Sequence, residues 1–127
     1  RRLIAAPPAD ILVTIDRKSG YDADDMKVET RGDSLVAIGK TIQTYDAESI
    51  GFLRFSAEGS QRFRQAIEQA LRNPENLRRW YLSIIDELAR EGGVGVCSIE
   101  GLEWGEMDFL ADLEANETMV QSWLALA

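Results

Sequence analysis

Histidine is absent from this chain of 127 residues, and that absence removes several kinds of chemistry at once. A serine or cysteine nucleophile activated by histidine cannot be built from these residues. Metal sites that depend on imidazole ligands are excluded for the same reason. If the chain does chemistry, carboxylates, lysines, arginines, hydroxyls and a bound metal must carry it.

Cysteine and long apolar runs are also scarce. The single thiol, Cys97, permits no internal disulfide and fits a reducing compartment, so we expect a cytoplasmic protein. Cys97 lies in a strand-like run, where an inert, buried thiol is expected. No apolar run approaches the ~18 residues needed to span a membrane, so no membrane association is expected.

Positive charge is in deficit, because 14 lysines and arginines face 22 acidic residues, for a net charge of −8. Non-specific nucleic-acid binding depends on neutralising phosphates with lysine and arginine, so we expect no nucleic-acid partner. A small anionic substrate remains compatible where a metal or a few local cations offset the charge. Apolar residues at 45% and charged residues at 28% are typical of one globular domain.

Five segments have the apolar and β-branched composition of strands. They are residues 10–16, 26–30, 34–38, 49–55 and 94–99. The first lacks polar alternation, which predicts a strand buried on both faces. Because nothing upstream supplies a neighbouring strand, we expect it to pair with another polypeptide or with a second copy of the chain.

Three helices are predicted among these strands. Ser56 can cap the first, whose apolar positions are Phe63, Ile67, Ala70 and Leu71. Asn73 and Pro74 begin the second, and its buried stripe comprises Leu77, Trp80, Tyr81, Ile84, Ile85 and Leu88. The third is amphipathic and starts at Phe109, with apolar positions Leu113, Val120, Trp123 and Leu124. The alternation of strands and helices predicts an α/β three-layer sandwich around a mixed sheet.

Three carboxylates, Glu103, Glu106 and Asp108, lie close together in the segment that connects the last predicted strand to the last predicted helix. In open α/β sheets ligands bind at the carboxyl ends of strands. Carboxylate oxygens suit a hard cation such as Mg²⁺. Aspartate is also a favoured helix N-cap. Two interpretations of Asp108 therefore stay open, a helix cap and a metal ligand.

Four stretches of the chain share an order with a known family. They are Asp24-Asp-Met-Lys-Val28, Gly32-Asp-Ser-Leu-Val-Ala-Ile-Gly-Lys40, Ser49-Ile-Gly-Phe-Leu-Arg-Phe-Ser56, and Trp80-Tyr81 followed by Gly105-Glu-Met-Asp108. In this order they resemble the C-terminal half of the nucleotidyltransferases that make nucleotide-diphospho sugars. The phosphocholine and phosphonate cytidylyltransferases are the most similar branch.

The resemblance covers nearly the whole chain and implies a Rossmann-like nucleotidyltransferase domain, of which residues 1–127 form the acceptor- and metal-binding half. The family's glycine-rich nucleotide loop and first metal-binding aspartate are not found among these residues. We therefore expect one part of a divided enzyme, inactive without an N-terminal half. Its partner would be that half or another copy of the chain.

The resemblance also implies a reaction, the Mg²⁺-dependent transfer of CMP from CTP to a small phosphate or phosphonate, with release of pyrophosphate. It assigns Asp108 to the metal, with Glu106 as a second metal candidate. Lys40 would be catalytic by neutralising the acceptor's anionic group, and the alternative is a solvated lysine at a strand end.

Further substrate-binding candidates are Lys27, Asp25, Arg54, Trp80 and Tyr81. Asp25 and the adjacent Asp24 suit a cationic head group, although acidic residues in turns are ordinarily turn formers. Core packing is favoured for Trp80 and Tyr81. If either ring faces a quaternary ammonium, the contact contributes about 1–2 kcal/mol.

Two alternatives to the cytidylyltransferase remain. One is a sugar-phosphate nucleotidyltransferase, and the other is a non-catalytic binding or dimerisation module that kept the half-fold. Asp108 beside Glu106 favours an enzyme, and the missing nucleotide loop favours the module.

Overall fold

The computed structural model describes residues 1–125. Its strands are β1 (Ile11–Asp16), β2 (Lys27–Arg31), β3 (Ser34–Gly39), β4 (Ala47–Phe55) and β5 (Val94–Ser98). Its helices are α1 (Arg2–Ala5), α2 (Ala57–Leu71), α3 (Tyr81–Glu91) and α4 (Leu110–Ala125), with a 3₁₀ helix at Pro74–Arg78. All five predicted strands are confirmed, and β4 begins at Ala47 rather than at Ser49.

The sheet is mixed, as predicted, but it closes into a small barrel in the order β1-β4-β2-β3-β5. β2 and β3 form an antiparallel hairpin. The closure between β3 and β5 depends on one residue pair, Ser34 with Gly95. The structure therefore does not show the predicted three-layer sandwich. Instead, strands and α3 share one core, which includes Val28, Leu35 and Ile85.

β1 is the best-buried strand, and both of its edges are paired inside the chain. It runs antiparallel to β4 and parallel to β5. The side chains of Ile11, Val13 and Ile15 are fully buried. The expectation that β1 needs a strand from another polypeptide is wrong, because its two neighbours come from later segments of the same chain.

The predicted second helix is divided in two. Asn73 accepts a hydrogen bond from the amide of Glu75, but it caps only the 3₁₀ helix. Arg79 and Trp80 then take extended backbone conformations before α3 begins. This break removes Leu77, Trp80 and Tyr81 from the predicted buried stripe, and their exposed fractions are 64%, 60% and 46%.

The other two helices differ in how well the prediction holds. In α2, the Ser56 hydroxyl accepts a hydrogen bond from the amide of Gly59, so the predicted cap is confirmed. α4 begins at Leu110 and buries none of its described residues, so the predicted apolar face is wrong. Its apolar side chains are spread around the helix and form no continuous stripe. Across residues 1–125, no helix has the length and apolar character that crossing a bilayer requires.

Candidate functional site

One cleft collects side chains from separate parts of the chain. Its volume of about 730 Å³ is in the range of small-molecule sites. The charged and aromatic residues that line it include Lys18, Asp24, Asp25, Lys40, Glu48, Trp80, Tyr81, Trp104, Glu106, Asp108 and Asp112. We call residues 100–109, between β5 and α4, the acidic loop. The cleft thus brings together most of the site residues that the sequence predicted.

Two predicted substrate-binding residues lie outside this cleft. Lys27 is only 8% exposed, and its ammonium donates a 2.6 Å hydrogen bond to the carbonyl of Asp22. Arg54 donates to backbone carbonyls of the N-terminal segment, including those of Leu3 and Pro7 at 2.8 and 2.6 Å. The contacts of both side chains are therefore within the protein.

One wall of the cleft is a charge cluster that sequence reasoning missed. The Lys18 ammonium lies 2.9 Å from a carboxylate oxygen of Asp25 and 2.9 Å from one of Glu48. The Glu48 side chain is 5% exposed, and its Oε1 has no hydrogen-bond partner among the described residues. In the sequence, the position of Glu48, an acidic residue beside an apolar strand, was the one feature that could have indicated this cluster. No sequence feature at Lys18 indicated it.

The titration of this wall reflects burial and pairing together. Burial raises the pKa of Glu48, although the Lys18 ammonium acts in the opposite direction. Burial also acts to raise the pKa of Asp25, but hydrogen bonds from Lys18 and from the amide of Asp22 outweigh it and lower that pKa. Burial opposes the charge of Lys18, yet its two carboxylate partners raise the pKa of Lys18. We call Lys18, Asp25 and Glu48 the paired wall.

Lys40 and Trp80 face the cleft from another side. The Lys40 ammonium lies 4.6 Å from the centre of the Trp80 ring and 3.7 Å from the carboxylate of Asp24, whose side chain is fully exposed. The aromatic contact considered for an external cation is therefore already made by Lys40. Trp80 and Tyr81 line the cleft and do not fill the core, contrary to the prediction.

The acidic loop carries Glu106 and Asp108 to the cleft. Within residues 1–125, the Asp108 carboxylate forms no hydrogen bond or ion pair. Asp112, the third residue of α4, makes the contact of a capping box, in which a side chain of the first turn accepts hydrogen bonds from amides just before the helix. Its Oδ2 accepts hydrogen bonds from the amides of Asp108 at 3.0 Å and Phe109 at 2.8 Å. A capping aspartate accepts a hydrogen bond from an amide two or three residues further on, and among the described residues the Asp108 carboxylate accepts none, so the structure gives the capping interpretation no support.

The carboxylates of the acidic loop fit an Mg²⁺ site completed by a phosphate ligand better than a site built from protein side chains alone. No group of three or more Asp, Glu, Cys or His side chains forms a metal site in the part of the chain that the structure describes. Glu106 and Asp108 nevertheless bring two carboxylates to one cleft. Mg²⁺ ordinarily takes one or two protein carboxylates and completes its coordination with waters and substrate phosphates. These residues therefore fit a metal held jointly with a phosphate ligand.

Side chains from two directions fix the acidic loop. The indole of Trp104 donates to the carboxylate of Asp16 at the end of β1, at 2.9 Å. The indole of Trp123 in α4 donates to the carboxylate of Glu103 at 2.6 Å. The loop is thus tied to the barrel and to α4.

Comparisons with known proteins find similarity both in sequence and in structure. No protein-family model matches the chain. The chain is 28% identical over 127 residues to a bifunctional IPC transferase and DIPP synthase of Rubrobacter xylanophilus, covering 98% of this chain and 28% of that protein. The solved structure of the inositol-1-phosphate CTP transferase from T. maritima aligns with a TM-score of 0.67 at 19% identity, covering 93% of this chain and 46% of that one.

These comparisons show the fold, because the mixed α/β arrangement described above also occurs within the T. maritima structure. The chain spans less than half the length of either protein.

Proposed function

We propose that this chain is the acceptor- and metal-binding part of a Mg²⁺-dependent cytidylyltransferase, which transfers CMP from CTP to the phosphate of a small acceptor. The observation that carries the proposal is the convergence of Lys40, Glu106 and Asp108 on one cleft. The structurally similar protein is an inositol-1-phosphate CTP transferase, which supports CTP as the donor. It also makes inositol 1-phosphate the first acceptor to test.

Of the two lysines at the cleft, Lys40 has the greater capacity to meet an anion. Lys18 is held at 2.9 Å by each of two carboxylates. The carboxylate nearest Lys40 belongs to the fully exposed Asp24 and lies 3.7 Å away. Exposed pairs of this kind contribute little to stability, so an acceptor phosphate can replace Asp24 readily.

The proposed reaction needs positioning and charge neutralisation and no covalent enzyme intermediate. An oxygen of the acceptor phosphate forms a bond to the α-phosphorus of CTP. The bond from that phosphorus to the bridging β-oxygen breaks, and pyrophosphate leaves with the electron pair. Lys40 neutralises and orients the acceptor. Bound Mg²⁺, held by Asp108 and Glu106, would supply positive charge to the triphosphate.

The charge of the cleft supports a dependence on metal. Two lysines face a larger set of carboxylates, namely Asp24, Asp25, Glu48, Glu106, Asp108 and Asp112. This surplus of negative charge repels a phosphorylated acceptor unless a divalent cation offsets it. We therefore expect inositol 1-phosphate to bind more tightly when Mg²⁺ is present.

The test is a substitution of Lys40 read against both substrates. Lys40→Met should weaken binding of inositol 1-phosphate about tenfold or more, because it removes a charge-assisted contact of ~1.5–3 kcal/mol. Calorimetric titration in Mg²⁺ measures this directly. In the enzyme completed by its N-terminal half, pyrophosphate release should show a higher KM for the acceptor and an unchanged KM for CTP. Arg64→Met is a matched control, since it removes an exposed cation of α2 outside the cleft.

Each other outcome has a defined meaning. Equal effects of Lys40→Met on both substrates, or none, would leave Lys40 as a solvated strand-end lysine. Turnover of a sugar phosphate in place of inositol 1-phosphate would keep the reaction and change the acceptor. If the enzyme completed by its N-terminal half shows no phosphate binding and no pyrophosphate release, the proposal is overturned in favour of a non-catalytic binding module.

A further inference from the structure

A hydrogen bond from the middle of α4 reaches the acidic loop. The side-chain amide of the half-buried Asn116 donates to the backbone carbonyl of Glu106 at 2.7 Å. A Cβ added to the preceding residue, Gly105, would lie only 2.0 Å from Asn116 Oδ1. Gly105 does not have a positive φ, so its backbone conformation does not demand glycine. Any larger residue at position 105 would instead displace the Asn116 side chain from its present place.

The loop and α4 form one hydrogen-bonded unit. Asp112 holds the amides at the start of α4, and Trp123 holds Glu103 near its end. Asn116 lies between these two contacts and acts on the segment that carries the candidate metal ligands. Because α4 buries none of its described residues, such polar contacts are important in setting its position.

We propose that Asn116 is a positioning residue, which with Gly105 fixes the backbone of Glu106 so that the carboxylates of Glu106 and Asp108 stay at the cleft. The inference rests on the proposed function, in which these carboxylates bind Mg²⁺. Asn116 itself does not line the cleft and acts through the loop. Asparagine is less favourable than alanine inside a helix, and its contact with the loop gives a reason for its presence there.

Hydrogen exchange tests the contact without any need for activity. In the full 127-residue chain, Asn116→Ala should make amides of residues 103–108 exchange about fivefold faster, as expected for the loss of one hydrogen bond. Thr118→Ala is the matched control, because within residues 1–125 the Thr118 side chain bonds only to the carbonyl of Glu114 in its own helix. It should leave the loop unchanged. Global melting should be unaffected in both variants, and a large fall for Asn116→Ala would contradict the positioning role.

Gly105→Ala tests the same contact from the side of the loop. Its new methyl group would collide with Asn116, so the loop should again exchange faster. In the Asn116→Ala background that collision is absent, and Gly105→Ala should add little. Fully additive effects would show that the two residues act independently and would overturn the pairing.

Binding of Mn²⁺ in the presence of CTP by the enzyme completed by its N-terminal half, measured by electron paramagnetic resonance, separates the inference from the proposed function. Asp108→Asn should weaken Mn²⁺ strongly, and Asn116→Ala about fivefold through the displaced loop. If Asp108→Asn weakens Mn²⁺ binding and Asn116→Ala leaves it unchanged, the positioning role is overturned and the proposed function stands. Unchanged Mn²⁺ binding in Asp108→Asn would overturn both.

Discussion

The two acidic sides of the cleft differ in how their charge is balanced. In the paired wall, Asp25 and Glu48 share the ammonium of Lys18. In the acidic loop, Glu106 and Asp108 are exposed, and neither side chain has an ion-pair partner within residues 1–125. A buried carboxylate requires a partner, because losing its solvation is costly, whereas an exposed one keeps its water until a ligand replaces it. The paired wall therefore stabilises the fold, and the acidic loop keeps its charge for a ligand.

Asp108→Asn should produce the largest functional change. In the enzyme completed by its N-terminal half, at limiting Mg²⁺, it should lower pyrophosphate release about a hundredfold, which corresponds to ~2.7 kcal/mol of lost transition-state stabilisation. The melting temperature should not change, because the amides just before α4 donate to Asp112 and the Asp108 carboxylate accepts no hydrogen bond among the described residues. Glu114→Gln removes the same charge from α4 outside the cleft and serves as the control. Full activity of the Asn variant at low Mg²⁺ would falsify the metal assignment.

Lys18→Met breaks the paired wall and should act on stability. We expect the free energy of unfolding to fall by about 2–3 kcal/mol, less than for a fully buried pair because Lys18 is about one-third exposed. Urea denaturation measures the loss. Adding Glu48→Gln removes the buried carboxylate left without its partner, so the double variant should recover part of the stability. If the double variant recovers none, Lys18 does not compensate the charge of Glu48.

The smallest effect is a dependence of stability on pH. The raised pKa of Glu48 means that the folded chain holds its proton above the ordinary value of 4.5, so stability falls as pH rises through that window. For Asp46, burial opposes ionisation, but hydrogen bonds from Thr30 lower its pKa, so stability also falls as pH drops below the ordinary value of 3.8.

Glu48→Gln separates these two effects. The substitution should flatten the fall above pH 4.5 and leave the fall on the acid side. Thermal melting across both windows measures the two slopes. A variant whose slope above pH 4.5 equals that of the unchanged chain would show that Glu48 does not titrate there.

The strands could be predicted because the apolar and β-branched composition that indicates a strand lies within the strand itself. The pairing of strands and the contacts between distant segments could not be predicted in this way. The composition of residues 10–16 showed a strand buried on both faces, but its partners β4 and β5 lie far along the chain. The paired wall exists because β1 and β4 align Asp16 with Glu48, which brings the segment after β1 to the end of β4. No pattern in either segment alone indicates that meeting.

The site was predicted in part, through the order of motifs and not through spacing. Lys40, Trp80, Glu106 and Asp108 line one cleft, and the roles that the resemblance implies for them stay predictions. The extended break at Arg79 and Trp80 could not be foreseen, because Asn73 and Pro74 begin a 3₁₀ helix as well as they begin an α-helix. The reason for Gly105 is also hidden in the sequence, since it depends on where α4 places Asn116.

The parallel pairing of β1 with β5 sets the order in which this barrel can be completed during synthesis. Among the five strands of the barrel, β1 is made first and β5 is made last. Until residues 94–98 have been added, one edge of the most apolar strand has no partner, and open apolar edges invite association with other chains. A nascent or truncated chain that stops before β5 therefore exposes one edge of β1, the best-buried strand of the core. Chaperone binding should be most important during that interval.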